Sequence, residues 1–266
     1  MVVMSSGIRA RVRAQMTDEI KTIARRHLAS DGANLSLRAV ARDVGVVSSA
    51  IYRYFASRDD LLTALILDAY NSLGAAVEAA DRSVVETVEK TTAQFAAGAT
   101  GIGAAGSGGI ETAGELAASG VLEADALSAR WMAVCHAVRD WASAVPHEYA
   151  LIYGSPVPGY RAPTDTVPAA TRAARVLGGI LQDGALQGRY PDEVPLPDAV
   201  NDTFTQMAQW LCPAVPPAVL SRAMGAWVQL FGSVSFELFG QLENAVGDKE
   251  AFFEHQMRAQ AAYIGL

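Results

Sequence analysis

Residues 35–66 read LSLRAVARDVGVVSSAIYRYFASRDDLLTALI, and the punctuation of this stretch decides the fold. Ser36 is placed to cap a helix whose buried face is Leu37, Val40, Ala41 and Val44, the i, i+3, i+4, i+7 spacing of one helical stripe. Gly45 can take the left-handed conformation that ends it. A second short helix over about 48–55 would bury Ile51 and Phe55 and leave Ser48, Ser49, Tyr52 and Arg53 on the outer side. Ser57-x-x-Asp60 has the form of a capping box with Asp in place of Glu, and it opens a longer helix with the stripe Leu62, Leu65, Ile66, Ala69 and Leu73. Upstream, Met16, Ile20, Ile23, Ala24 and Leu28 make one more apolar stripe, which Asp31-Gly32 would stop.

Two short helices joined at a glycine, the second with polar and aromatic residues facing outward, form a helix-turn-helix candidate. In such a pair the second helix enters the major groove of DNA, where base edges are distinguishable. Ser48, Ser49 and Tyr52 could reach bases or phosphates, while Arg53 and Arg58 could neutralise phosphates. Ser36, Arg38 and Tyr54 complete the expected contact set, with Arg9, Arg11 and Arg13 as an arm onto flanking phosphate or the minor groove. A small helical subdomain with a solvated basic face is the bland alternative from spacing alone.

Charge is distributed in the same sense. The chain of 266 residues carries a net charge of −7, which argues against a nonspecific nucleic-acid coat. Up to Leu62, however, ten Lys and Arg face six Asp and Glu, so a basic head precedes an acidic body. With 51% hydrophobic and 18% charged residues the chain is globular rather than disordered.

The stretch from Leu35 to Ile66 resembles the DNA-binding head of the tetracycline-repressor (TetR) family, in Ala41, Gly45, Val46, Tyr52, Phe55, Arg58 and the Leu61-Leu62 pair. The resemblance covers roughly residues 12 to 70. It implies an all-helical homodimeric regulator in which a small molecule bound in the C-terminal domain changes the spacing of two N-terminal heads. One departure concerns the start of the recognition helix, where the family usually has Ser or Thr and this chain has Val47. Ser48 is then expected to cap instead and to start the helix one residue later. The C-terminal half is similar to a companion regulator domain named for a Trp, a His and a Gly: RDWASAVPHEYALIYGSPVPGY supplies Trp141, His147 and Gly154, and WVQLFGSVSFELFG resembles a long dimer-forming helix.

The domain division expected is a helix-turn-helix head at 1–60 and a ligand-binding and dimerisation domain at 61–266. Within the latter, residues 98–122 hold eight glycines and read as a flexible insertion with one short helix at most. Later helices are expected over about 127–144, 168–183, 198–211, 219–246 and 249–264, and no segment reads as a strand. The tryptophans all lie in the acidic body, and aromatics with few polar groups suit an apolar ligand. Candidate wall residues are Trp131, Cys135, Trp141, His147, Tyr149, Tyr153, Phe204, Trp210, Trp227 and Phe231, each of which ordinary core packing would also explain. The 219–246 pattern is apolar on two sides, with Leu220, Met224, Phe231, Val234, Leu238 and Leu242 on the main face. Together with Val176 and Ile180 these are the expected dimer contacts.

Other classes are disfavoured. Cys135 and His136 are adjacent and point about 100° apart on a helix, a poor arrangement for a nucleophile and its base. Neither Cys135 nor Cys212 sits in a metal-binding spacing, and GIGAAGSGG follows no strand that would make it a dinucleotide loop. The charge-free run between Lys90 and Glu111 contains six glycines, which is unsuited to a membrane span, and Arg9, Arg11 and Arg13 precede no signal-peptide core. The expectation is an all-α cytoplasmic regulator, a repressor rather than an enzyme. It binds a double-stranded operator and an apolar effector and uses no cofactor or metal. An activator of the same fold, or a helical scaffold retaining an unused head, are the alternatives.

Overall fold

The computed structural model describes residues 3–31, 35–99, 111–190 and 195–266. Every regular element among them is helical: α1 (Val3–Asp31), α2 (Leu37–Val44), α3 (Ser48–Ile51), α4 (Arg58–Ala99), α5 (Glu111–Ala144), α6 (Pro146–Tyr153), α7 (Val167–Ala170), α8 (Arg172–Leu186), α9 (Asp198–Leu211), α10 (Pro217–Leu238) and α11 (Lys249–Ile264). A 3-10 turn at Thr164–Thr166 leads into α7. The chain divides into two compact units, Met1–Ser72 with Ala144–Ala170, and Leu73–Ser143 with Thr171–Leu266. The first thus takes in more than the 1–60 head, adding the opening turns of α4 together with α6 and α7.

In the first unit the local signals act as the sequence suggests. The Ser36 hydroxyl accepts the Ala39 N–H at 3.5 Å, and Leu37, Val40 and Ala41 point into the core. Gly45 has φ 82°, which lets its N–H reach Arg42 O at 3.1 Å and the Val46 N–H reach Ala41 O at 3.0 Å. This pair of hydrogen bonds satisfies two of the last carbonyls of α2 and turns the chain toward α3. The capping box closes reciprocally, Asp60 N–H to Ser57 Oγ at 3.0 Å and Ser57 N–H to Asp60 Oδ2 at 3.1 Å. α1 ends at Asp31, and Gly32 lies outside the described residues.

Two expectations here are corrected. Val47 itself is the N-cap of α3, with extended backbone and no side-chain cap, so Ser48 is the first helical residue rather than the cap. α3 is also shorter than 48–55. After Ile51 the bonds tighten to Arg53 N–H to Ala50 O and Tyr54 N–H to Ile51 O, at 3.1 and 2.9 Å, a closing turn of the 3-10 kind.

The second unit is built on long helices. α4 runs to Ala99, and α5 ends at Ala144 as expected but begins at Glu111 instead of near Leu127, so 111–122 is helical rather than part of a flexible insertion. Glu, Ala and Leu around Gly114 and Gly120 supply enough helix propensity to offset the glycines. The remainder of that segment, 100–110, lies outside the described residues. α9 and α11 have the expected bounds, whereas α8 covers Arg172–Leu186 rather than 168–183. α10 stops at Leu238, short of Val246, where Gly240 takes φ 79° and a run of turns follows. Three arginines tie the helices of this unit together: Arg130 to Asp81 and Asp183, Arg172 to Glu78, and Arg139 to Glu237. Each holds one carboxylate with two bonds, the fork geometry that gives direction as well as attraction, and Arg130 adds a third bond to Asp183. No helix among the described residues is long and apolar enough to cross a membrane.

Candidate functional site

The core of the head unites Ile20, Ile23, Ala24 and Leu28 of α1, Leu37, Val40 and Ala41 of α2, Ile51 and Phe55 beneath α3, and Leu61, Leu62 and Leu65 of α4. Burying Ile51 and Phe55 fixes the rotation of α3, which leaves its other side facing solvent. On that side Val47 is 71% and Tyr52 47% exposed, flanked by exposed Ser48, Ser49 and Arg53. The short serines allow close approach of the backbone to another surface, and Tyr52 and Arg53 supply a ring, a hydroxyl and a cation.

The remaining expected contacts are placed differently. Arg9, Arg11 and Arg13 lie exposed on the helical start of α1, so they form no extended arm. The Arg13 guanidinium donates to Arg53 O at 2.9 Å and sits 5.7 Å from the Tyr54 ring centroid, bracing the end of the recognition segment. Arg58 is half-buried, its Nε donating to Leu35 O at 3.1 Å and its tip 3.6 Å from Asp59. Arg38 is exposed at the start of α2, and Ser36 is occupied as its cap. Below this surface the His27 ring and Asp43 join α1 to α2 at 2.8 Å, and that bond, ahead of Arg42, holds the Asp43 carboxyl below its ordinary range.

An ion cluster that the sequence did not signal joins α1, α4 and α6. Arg25 reaches Asp68 and the buried Glu148, both at 2.7 Å, and Lys21 reaches Asp68 at 2.9 Å. Its members stand far apart in the chain, so no local spacing could reveal it. Next to it Tyr149 is fully buried with Tyr153 at 5.3 Å, and Tyr153 meets Tyr70 edge-on at 6.2 Å. Burial pushes the Tyr153 hydroxyl well up, so it stays protonated. His147 is half-buried in the same unit.

In the second unit a cavity of about 190 Å³ is walled by α5, α8, α9 and α10. Of the ten expected wall residues it contains Trp131 and Trp227; Phe231 packs against Trp227, ring centroids 4.6 Å apart and tilted by 45°, without lining it. Most of the wall was not anticipated: Leu177, Gly178 and Leu181 on α8, Met207 and Leu211 on α9, and Ala223 on α10. Gly178 permits α9 to pack closely, since a Cβ there would meet Leu211 Cγ at 2.8 Å. Trp141 is buried elsewhere in this unit, Phe204 is half-buried on α9, and Trp210 is 59% exposed. Cys135 is fully buried, which pushes its thiol well up, and His136 is engaged by Glu254 at 2.7 Å. Among the described residues no group of three or more His, Cys, Asp or Glu is arranged to hold a metal.

The face of α10 expected to meet a second chain is spent internally. Ile180, Leu220, Phe231 and Val234 are buried, while Val176 and Leu238 are half-buried, and Leu242 lies beyond the helix. Met224, on the same face, stays 36% exposed at its edge, and the opposite side is apolar and open, with Val228, Phe236 and Phe239 at 64, 55 and 46% exposure and open space over Gly225 and Gly232.

A helix-turn-helix with an outward polar and aromatic face, carried on an all-helical chain, defines a DNA-binding transcriptional regulator. Residues 22–65 match the family model described as bacterial regulatory proteins, tetR family, and residues 131–260 match the tetracyclin repressor-like C-terminal domain. The HTH-type transcriptional regulators Mb1846 of Mycobacterium bovis and Rv1816 of Mycobacterium tuberculosis are each 34% identical over 263 residues, covering 97% of this chain and 96% of theirs. The crystal structure of the regulatory protein SCO4313 aligns with TM-score 0.65 at 29% identity, over 95% of this chain and 98% of that one. A protein of unknown function from Rhodococcus sp. RHA1 shares the fold, with TM-score 0.55 at 21% identity over 94% and 93% of the two chains. The chain belongs to the TetR family of transcriptional regulators.

Proposed function

We propose that this chain is a ligand-responsive repressor that binds a near-palindromic operator as a homodimer and is released by a small, mostly apolar effector. The observation that carries this reading is the outer side of α3, where Val47, Ser48, Ser49, Tyr52 and Arg53 stand exposed on a segment pinned by buried Ile51 and Phe55. That surface presents short donors, a ring and a positive charge together, as groove and phosphate contacts require.

The open side of α10 supports pairing with a second copy. A two-fold axis through Gly232 sets Gly225 opposite Phe239 and Val228 opposite Phe236 of the other copy, so each ring meets a small or slender residue. The match is its own complement, as an isologous interface requires. Effector control then follows if the ligand binds the DNA-incompetent arrangement better than the competent one, since equal affinity shifts nothing. Such a repressor works in the cytoplasm, with the operator and the effector as its partners.

The test starts by selecting bound sequences from random duplex DNA with the full chain. Tyr52→Ala with Arg53→Ala is expected to abolish capture while leaving helicity and the dimer unchanged. With roughly 6–10 phosphate contacts, affinity should fall about 10³–10⁵-fold between 50 and 200 mM salt. Enrichment of no sequence, together with a flat salt response, overturns the reading.

A further inference from the structure

We infer that the cavity between α5, α8, α9 and α10 is a binding site for an uncharged, hydrogen-bond-poor molecule about the size of a fused two-ring hydrocarbon. The inference rests on the effector reading only for its consequence on DNA; binding itself stands apart from it.

Size sets the first limit. The cavity holds about 190 Å³. An apolar cavity of about 150 Å³ takes up benzene, so one somewhat larger admits a second fused ring. Its walls are apolar enough that water would gain few partners inside, and an organic occupant would recover the contacts that the empty space forgoes.

Chemistry sets the second limit. No side chain of the wall carries a charge. Its side-chain donors are two indoles, and that of Trp131 is already given to Met257 O at 2.8 Å. The Trp227 indole is then the one wall side chain able to offer an N–H, so the occupant has room for at most one acceptor group. An ionised group would lose its water here and find no charged side chain in the wall to pair with. Two indole rings and the thioethers of Met207 and Met224 favour a flat, polarisable partner. Met224 is 36% exposed at the rim, a flexible side chain that can swing aside for entry.

Naphthalene is the probe, with 1-naphthoate and 1-naphthylmethylammonium as charged forms of the same ring system. Thermal shift and quenching of tryptophan fluorescence on the full chain are the readouts. Naphthalene is expected to saturate and to raise the melting temperature, and both ions should bind at least about 30-fold more weakly. The cation also tests the two indoles as an aromatic cage, and equal binding of either ion overturns the assignment. Ala223→Leu, which fills the cavity, should weaken naphthalene at least tenfold without loss of helicity; Ala174→Val, at another wall position on α8, repeats the test should the first variant misfold. Failure of all three probes to saturate, or binding indifferent to the filling substitution, marks the space as a packing void. Saturable binding that leaves operator affinity unchanged keeps the site and removes the effector reading. Release from DNA by a ligand that still acts on the filled variant does the reverse.

Discussion

The two units of this chain are specified in different ways. In the head, short helices are bounded by residues that act on their own neighbours: Ser36 on Ala39, Gly45 on Arg42, Ser57 and Asp60 on each other. In the larger unit, long helices take their orientation from groups remote in sequence, such as the Trp131 indole on Met257 O and Arg139 on Glu237. Local chemistry therefore sets where the head's helices begin and end, and the burial of Ile51 and Phe55 sets the rotation of α3, whereas the cavity and the open face of α10 exist only once distant helices have packed.

All four tryptophans belong to the larger unit, so their fluorescence follows that unit while DNA capture follows the head. Trp131→Ala is expected to have the largest effect, lowering stability by about 3–5 kcal/mol through the cavity it leaves, with a further loss at the stranded Met257 carbonyl. A urea titration read by the remaining tryptophans measures it. Ile51→Ala should cost about 2–5 kcal/mol and abolish DNA capture, yet leave the tryptophan-reported midpoint in place. If that midpoint moves by the same amount, the two units unfold as one and the contrast between them fails.

Arg25→Met sharpens the comparison inside the head, because it leaves buried Glu148 without its 2.7 Å partner. A loss of about 1–3 kcal/mol is expected, and restoring neutrality with Glu148→Gln in the same chain should recover part of it. A double variant no better than the single one contradicts the role given to this pair.

The smallest effect is that of pH on the His27–Asp43 contact. The Asp43 carboxyl lies below its ordinary value of 3.8 in the folded chain, chiefly through the His27 bond. Its contribution is therefore present above 3.8 and is lost as pH falls through the lower folded value. Asp43→Asn should flatten the acid side of the stability curve slightly, and an unchanged slope removes the contribution.

The same contrast explains what could be read in advance. Gly45 and the Ser57–Asp60 box were legible because the groups they bond lie within a few residues. Val47 was not, because an extended backbone can begin a helix with no side-chain acceptor, and only the fold shows that it does. In α10 the apolar residues on both sides were visible, but which side faces inward is decided by α9 and α11, which pack against it. The spacing of Gly225 and Gly232, two helical turns apart among apolar residues, was the overlooked signal for the open side. The cavity wall was mostly missed for a similar reason. It is lined by small and aliphatic residues such as Ala174, Gly178 and Ala223, while attention to aromatics favours side chains that fill space rather than leave it.

The brace from Arg13 to the Arg53 carbonyl and the Tyr54 ring bears on how the head would meet a duplex. A tethered basic tail must give up its freedom at the moment of contact, which weakens association and lets the tail adapt to many sequences. Here that ordering has already occurred during folding. Encounter would then carry little entropic penalty from this region, and lengthening or loosening the first turns of α1 should trade selectivity for tolerance.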